Sequence, residues 1–122
     1  MSKFAEGQVW TYRTRPGEES SRAIVTRVDA DGLGNIVHVR LVGLRVQNPS
    51  VSGGLSEEIS HMPFAEAAVA ASVVAHVADT APLADNDEGY MTWQEAFGQG
   101  RAGIFTVTLA EAVSLMETAL SQ

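Results

Sequence analysis

The chain contains no cysteine. This absence excludes disulfide bonds, thiolate metal sites and a cysteine nucleophile, and it is typical of proteins kept in a reducing compartment. The first seven residues include Lys3 and Glu6 and lack the apolar run of a secretory signal. The longest apolar stretch, residues 67–75, is interrupted by Ser72, and it is far shorter than the roughly 20 residues of a membrane-spanning helix. We therefore expect a cytoplasmic protein that does not enter a membrane.

Basic residues are scarce: 8 lysines and arginines stand against 15 acidic residues, for a formal net charge of -7. The imbalance lies in the second half, where residues 61–122 contain Arg101 as their only basic residue. A protein that binds nucleic acid without specificity usually carries the opposite charge, so nucleic acid is an unlikely but open partner. Either the halves neutralise each other through surface ion pairs, or the arginines of the first half face an anionic partner.

With 122 residues, 45% of them hydrophobic and 19% charged, the chain can bury one core. It is too apolar for a disordered protein and too short for a multidomain enzyme. We expect a single domain over residues 1–122.

The first half has the alternating pattern of strands separated by turns. Pro16-Gly17 predicts a tight turn, and residues 29–34 predict a second reversal. The predicted strands span residues 8–14, 22–29, 35–46 and 55–60.

The second half has the spacing of helices. Pro63 fits a first helical turn, and the alanine-rich run predicts a helix from there to about Ala78. A second predicted helix carries Tyr90, Trp93 and Phe97 on one face, and residues 104–107 predict a short strand. Thr108 and Glu111 have capping-box spacing. The helix they begin is expected to bury Leu109, Ala112, Val113 and Met116.

Strands first and helices afterwards favour the α+β class over a parallel βαβ sheet. The predicted architecture is an N-terminal antiparallel meander, either a bent sheet or an SH3-like partial barrel. C-terminal helices cover it, and one short strand comes late in the chain.

Three short motifs have the spacing of known sites but the wrong context. Residues 98–103 match G-x-G-x-x-G, but they follow a helix and precede a strand, the reverse of a dinucleotide site. Residues 29–34 resemble the start of a calcium loop, but Arg40 stands where its bidentate glutamate belongs. Glu58 and His61 have Glu-x-x-His spacing in a predicted strand, where they point to opposite faces. We therefore predict no metal, no cofactor and no catalytic residue.

One predicted surface combines basic side chains on the polar side of neighbouring strands. Arginine's planar fork suits carboxylate or phosphate groups, although a solvated sheet face paired with nearby glutamates is the simpler interpretation. The candidate binding residues are Arg13, Arg15, Arg27, His38 and Arg40.

Three stretches, residues 6–21, 58–63 and 89–106, resemble a family of small uncharacterised bacterial proteins. That resemblance implies a compact bacterial domain and brings no activity or site. Gly7-Gln8-Val9-Trp10 followed by Arg15-Pro16-Gly17 is also similar to the first hairpin of PemK/MazF-type toxin barrels, over about 20 residues.

Two functions follow as hypotheses. The first is a non-enzymatic binding module that docks on a basic protein partner, as immunity or regulatory proteins do. The alternative is an RNA-binding or RNA-cleaving SH3-like barrel that uses Arg13, Arg27, His38 and Arg40, with the histidine as general acid or base.

Overall fold

The computed structural model describes residues 3–31, 34–80 and 88–120. Its strands pair in one antiparallel sheet of order β4-β3-β2-β1-β5. The first four strands form the predicted meander, and β5 joins the open side of β1, so the sheet stays open and does not close into a barrel. The α+β prediction is confirmed. The elements are β1 (Gln8–Tyr12), β2 (Arg22–Asp31), β3 (Gly34–Gln47), β4 (Leu55–Ala65), α1 (Glu66–Ser72), β5 (Val73–Asp79), α2 (Glu88–Gly98) and α3 (Leu109–Leu120).

One face of the sheet packs against α1 and α3. Alternate residues of β3 and β4 turn their apolar side chains to this face, where the two helices bring small or branched side chains close to the strands. The predicted buried face of the last helix is confirmed, because Leu109, Ala112 and Val113 are buried and Met116 packs beside them. The strand side chains of this core include Val37, Val39, Leu41, Met62 and Phe64.

The opposite face is covered by α2 over β3. Val37, His38 and Val39 are consecutive, and all three are fully buried. Since successive strand residues point to opposite faces, β3 must be covered on both sides here. Val37 and Val39 belong to the core, and His38 packs against Tyr90 and Trp93 of α2 on the other side.

An irregularity in β2 sets which side chains reach each face. Val25 pairs with Val39, but the next pairing joins Arg27 to His38, so Thr26 is an extra residue in β2. The sequence pattern places Val25 and Arg27 on one face. In the structure Val25 is in the core and Arg27 is exposed, because the bulge reverses the alternation between them.

The predicted helix over residues 63–78 is wrong at both ends. β4 continues through Pro63 to Ala65, α1 covers only Glu66–Ser72, and the chain then becomes β5. Here the helical spacing of the sequence competes with strand pairing at the edge of the sheet. The open side of β1 offers backbone hydrogen-bonding groups from Gln8 to Tyr12, and β5 pairs with them. The branched residues Val73, Val74 and Val77 also favour a strand.

The segment before α3 differs slightly from its prediction. Residues 104–107 do not form a full strand; Phe105 makes one bridge to Phe64. The cap of α3 is confirmed, because the Thr108 hydroxyl accepts a hydrogen bond from the Glu111 N–H at 3.2 Å. The Glu111 carboxylate bonds to the Thr108 hydroxyl rather than to its backbone N–H, and the Ser72 hydroxyl accepts the Leu109 N–H.

Candidate functional site

The five predicted binding residues do not form one continuous basic surface. Arg27 and His38 are paired across β2 and β3 and lie in one cluster. Arg40 follows His38 two residues later on β3, but its guanidinium group pairs with Glu58 of β4. Arg13 donates to the carbonyl of Ala71 at the end of α1, 2.6 Å away.

Arg15 is held by acidic neighbours at the turn after β1. Its guanidinium group contacts both carboxylate oxygens of Glu18 at 2.8 Å and reaches Glu117 of α3 at 3.0 Å. The hydrogen bonds to Glu18 are the main cause that raises the pKa of Arg15 above its ordinary value, against the opposing effect of burial. Arg15 therefore links the turn to α3.

The cluster around His38 is a chain of hydrogen-bonded polar side chains. His38 Nε2 lies 3.0 Å from Asp29 Oδ2, and its Nδ1 lies 2.9 Å from His61 Nε2. The Tyr90 hydroxyl donates to the same Asp29 oxygen at 2.9 Å. β2, β3, β4 and α2 thus each supply one member of the chain.

These contacts assign the protons of the two imidazoles. The Asp29 carboxylate can only accept, so His38 Nε2 carries a hydrogen. Neutral His38 then has its lone pair on Nδ1, and His61 must donate to it through Nε2–H. Both ring nitrogens of His38 are used within the protein, and its side chain is 0% exposed.

Burial dominates the ionisation of the cluster. Removal of His38 from water lowers its pKa to about 4, with a further decrease from nearby His61 and an opposing effect of Asp29. The pKa of Tyr90 is raised, first by burial and then by its bond to the Asp29 carboxylate. His38 is therefore neutral and Tyr90 protonated at neutral pH.

Aromatic rings of α2 cover this polar chain. Tyr90 and Trp93 both meet His38 edge to face, with ring centroids 4.8 Å apart in each pair. Trp93 stacks on Phe97 at 4.6 Å, and its indole N–H donates to the Gly103 carbonyl at 2.8 Å. The helical stripe seen in the sequence therefore faces the sheet, with Tyr90 buried and Trp93 and Phe97 partly buried.

A cleft of about 320 Å³ opens beside these rings, between β2 and α2. Arg27 lies at its edge with a side chain that is 53% exposed. Its guanidinium group sits 4.3 Å from the centre of the Tyr90 ring, and its Nε donates to Asp29 Oδ1 at 3.3 Å. The cleft is lined by Arg27, Asp29, Ala30, Ile36, Tyr90, Trp93, Gln94 and Phe97.

The sequence reasoning missed two members of the cluster. Asp29 looked like part of a reversal, although β2 continues to Asp31. His61 was assigned to an isolated Glu-x-x-His motif, although β4 places it next to β3. The available signal was the antiparallel pairing of the predicted strands, which brings Asp29 and His38 onto neighbouring strands.

Within the three described ranges, no group of three or more His, Asp or Glu side chains is arranged to hold a metal ion. The same part of the chain contains no helix with the length and apolar character needed to cross a membrane.

Comparison with known proteins gives no family model, curated protein or solved structure that matches the chain. The resemblances to a small bacterial family and to toxin barrels therefore remain predictions.

Proposed function

We propose that the protein is a non-enzymatic binding module whose cleft between β2 and α2 accepts a planar aromatic ligand with an anionic group. The observation that supports this most is the position of Arg27, whose half-exposed side chain lines the same cleft as Trp93 and Phe97. A guanidinium fork pairs with phosphate or carboxylate, and aromatic rings stack on a flat ligand. The guanidinium group and the aromatic rings together recognise a ligand that has both an anionic group and a flat ring.

The size and rigidity of the cleft support binding. Its volume of about 320 Å³ falls at the small end of the range of ligand pockets, which is roughly 300–1,000 Å³. Asp29, which also lines the cleft, holds His38 and Tyr90 in fixed orientations. A binding site that is already ordered loses less entropy when its ligand enters.

The buried imidazole favours this role over acid–base catalysis. Both nitrogens of His38 are engaged inside the protein and its side chain is fully buried. A general acid or base must come within hydrogen-bond reach of its substrate. In this arrangement His38 supports the wall of the cleft and does not line it.

Isothermal titration calorimetry tests the proposal with probes that separate the two ligand features. The aromatic anions AMP and nicotinate are compared with their neutral counterparts adenosine and nicotinamide, and with inorganic phosphate alone. We expect the aromatic anions to bind and the other probes to bind about tenfold more weakly, because a charge-assisted hydrogen bond contributes roughly 1.5–3 kcal/mol.

Variants locate the binding. Arg27→Gln and Trp93→Leu should each lower the affinity for the aromatic anions about tenfold, whereas Arg13→Gln should leave it unchanged, because Arg13 follows β1 and donates to the end of α1. Circular dichroism confirms that each variant is folded. If neither aromatic anion binds, or if Arg27→Gln and Arg13→Gln behave alike, the proposal is wrong.

The position of Arg27 beside aromatic rings also supports an RNA-binding role, because arginine and aromatic side chains together bind single-stranded nucleic acid. The remaining basic residues favour it less, since Arg15 and Arg40 are paired with glutamates. Oligouridine and UMP distinguish the two roles. We expect equal affinity for both; tighter binding of the oligomer, with a steep loss on adding salt, would instead indicate RNA.

A further inference from the structure

A second concave surface lies between the turn after β1 and the outer side of α3. It is an apolar groove of about 540 Å³ and shares no lining residue with the cleft. Pro16 forms one wall, and Val107, Ala110 and Leu115 form the other. The side chain of Leu115 is 55% exposed. An apolar side chain of this size at the mouth of an apolar groove is a common feature of protein-binding surfaces.

The geometry of α3 explains why this surface is not needed for the core. Leu109, Ala112 and Val113 are buried against the sheet. Helical periodicity places Ala110 and Leu115 away from that stripe, on the outward part of the helix. The groove is therefore an additional apolar surface and not an unfilled part of the core.

Carboxylates outnumber cations around the groove. Arg15 lines it and contacts both Glu18 and Glu117, while Glu111 lines it from the first turn of α3. The hydrogen bond from the Gln47 N–H lowers the pKa of Glu117 first, followed by that from Arg15. Burial alone would raise the pKa of Glu18, but the hydrogen bonds from Arg15 and the Arg45 N–H lower it below its ordinary value. Arg15 is thus accompanied around the groove by three carboxylates, those of Glu18, Glu111 and Glu117.

We propose that this groove docks a basic amphipathic helix of a partner protein, with apolar side chains against Leu115 and Pro16 and with lysine or arginine facing Glu111. An amphipathic helix fits because its apolar stripe can pack along the outward side of α3. The excess of carboxylates selects basic flanking residues. A second copy of this chain fits poorly, since two copies of the groove would face each other with the same negative charge.

Fluorescence anisotropy with a defined peptide tests this assignment. The probe is a labelled peptide of about 18 residues, built from leucine and lysine with leucine at helical spacing. Two matched peptides serve as controls. One has the same composition in scrambled order, and the other has glutamate in place of every lysine. We expect the amphipathic leucine–lysine peptide to bind at least about tenfold more tightly than either.

Two leucine substitutions separate the groove from general attraction to an acidic protein. Leu115→Ser removes the apolar contact and keeps every charge, so we expect it to weaken binding about tenfold. Leu55→Ser is the matched control, because Leu55 is exposed on β4 and does not line the groove. Glu111→Gln should weaken binding by a smaller factor that shrinks as salt is added.

Three results would overturn the proposal. The first is equal loss, or no loss, of peptide affinity in Leu115→Ser and Leu55→Ser. The second is equal binding of the scrambled or glutamate peptide. The third is a dimer in sedimentation velocity that Leu115→Ser dissociates, because the groove would then be covered by a second copy. None of these measurements uses the cleft ligand, so they are independent of the function proposed above.

Discussion

At the scale of single residues, His38 connects the sheet to α2. It bonds to Asp29 and His61 and meets two aromatic rings of α2 edge to face. Its burial makes the neutral form the stable one, since an imidazolium loses its hydration there. The ionisation of this residue should therefore affect both the site and the stability of the fold.

We expect NMR titration to show that His38 remains neutral down to about pH 4, as its lowered pKa indicates. Because an unfolded histidine has a pKa near 6.5, the unfolded chain binds the additional proton first as the pH falls. The stability contributed by neutral His38 is full above about pH 6.5 and is lost between about 6.5 and 4, by roughly 3 kcal/mol in all. His76→Gln, which changes an exposed histidine on β5, assigns the signals. A midpoint of His38 near 6.5 would contradict the prediction.

Glu18 and Glu19 are adjacent acidic residues with different environments. Glu18 is 3% exposed and joins Arg15 to the N–H of Arg45, whereas Glu19 is exposed and accepts from Gly17. Glu18→Ala leaves a buried donor without its acceptor, so we expect a loss of about 3 kcal/mol in the free energy of unfolding. Glu19→Ala should cost less than about 1 kcal/mol. Urea unfolding at pH 7 measures both, and equal losses would mean that the buried contact adds nothing.

At the scale of elements, the start of α3 depends on two hydroxyl caps. Thr108 accepts the Glu111 N–H, and Ser72 accepts the Leu109 N–H. We expect Thr108→Ala to lower the free energy of unfolding by about 1 kcal/mol, because one N–H at the helix end loses its partner. Thr106→Ala, two residues earlier at an exposed position, is the control. An unchanged denaturation midpoint in Thr108→Ala would show that the cap does not contribute.

The sequence was sufficient for elements whose pattern and tertiary contacts agree. β1, β3 and α3 have the expected periodicity, and α3 also has its cap, whereas the bulge at Thr26 changes the alternation predicted for β2. The alanine-rich segment misled the prediction, because its helical spacing is real for Glu66–Ser72 but is overridden afterwards by pairing with β1. Such an edge pairing depends on residues more than 60 positions away, which local spacing does not report.

The candidate site was predicted only in part for a similar reason. Strand pairing could place Arg27 beside His38, and helical spacing could put Tyr90 and Trp93 on one face. Which side of the sheet that helix covers is decided by long-range packing, and no motif in the sequence marks it. The meeting of Asp29, His38 and Tyr90 therefore emerges only from the folded chain.

At the scale of the whole molecule, negative charge is unevenly distributed. Residues 61–122 hold eight acidic residues against Arg101, while residues 1–60 are balanced. The pair between Arg15 and Glu117 joins the two halves, but Arg27 and Arg40 pair with acidic residues of their own half. The second half therefore carries the net negative charge of the chain.

Salt should therefore stabilise the protein. Raising NaCl from about 20 mM to 500 mM shortens the Debye length from roughly 20 Å to about 4 Å, which screens repulsion among exposed carboxylates more than it weakens close ion pairs. We expect the free energy of unfolding in urea to rise. Glu95→Gln should stabilise the protein at low salt and Arg101→Gln should destabilise it, with both differences shrinking at high salt. A fall in stability on adding NaCl would mean that ion pairs such as Arg15–Glu117 outweigh the repulsion among exposed carboxylates. Fewer unpaired carboxylates would then be available to a basic partner.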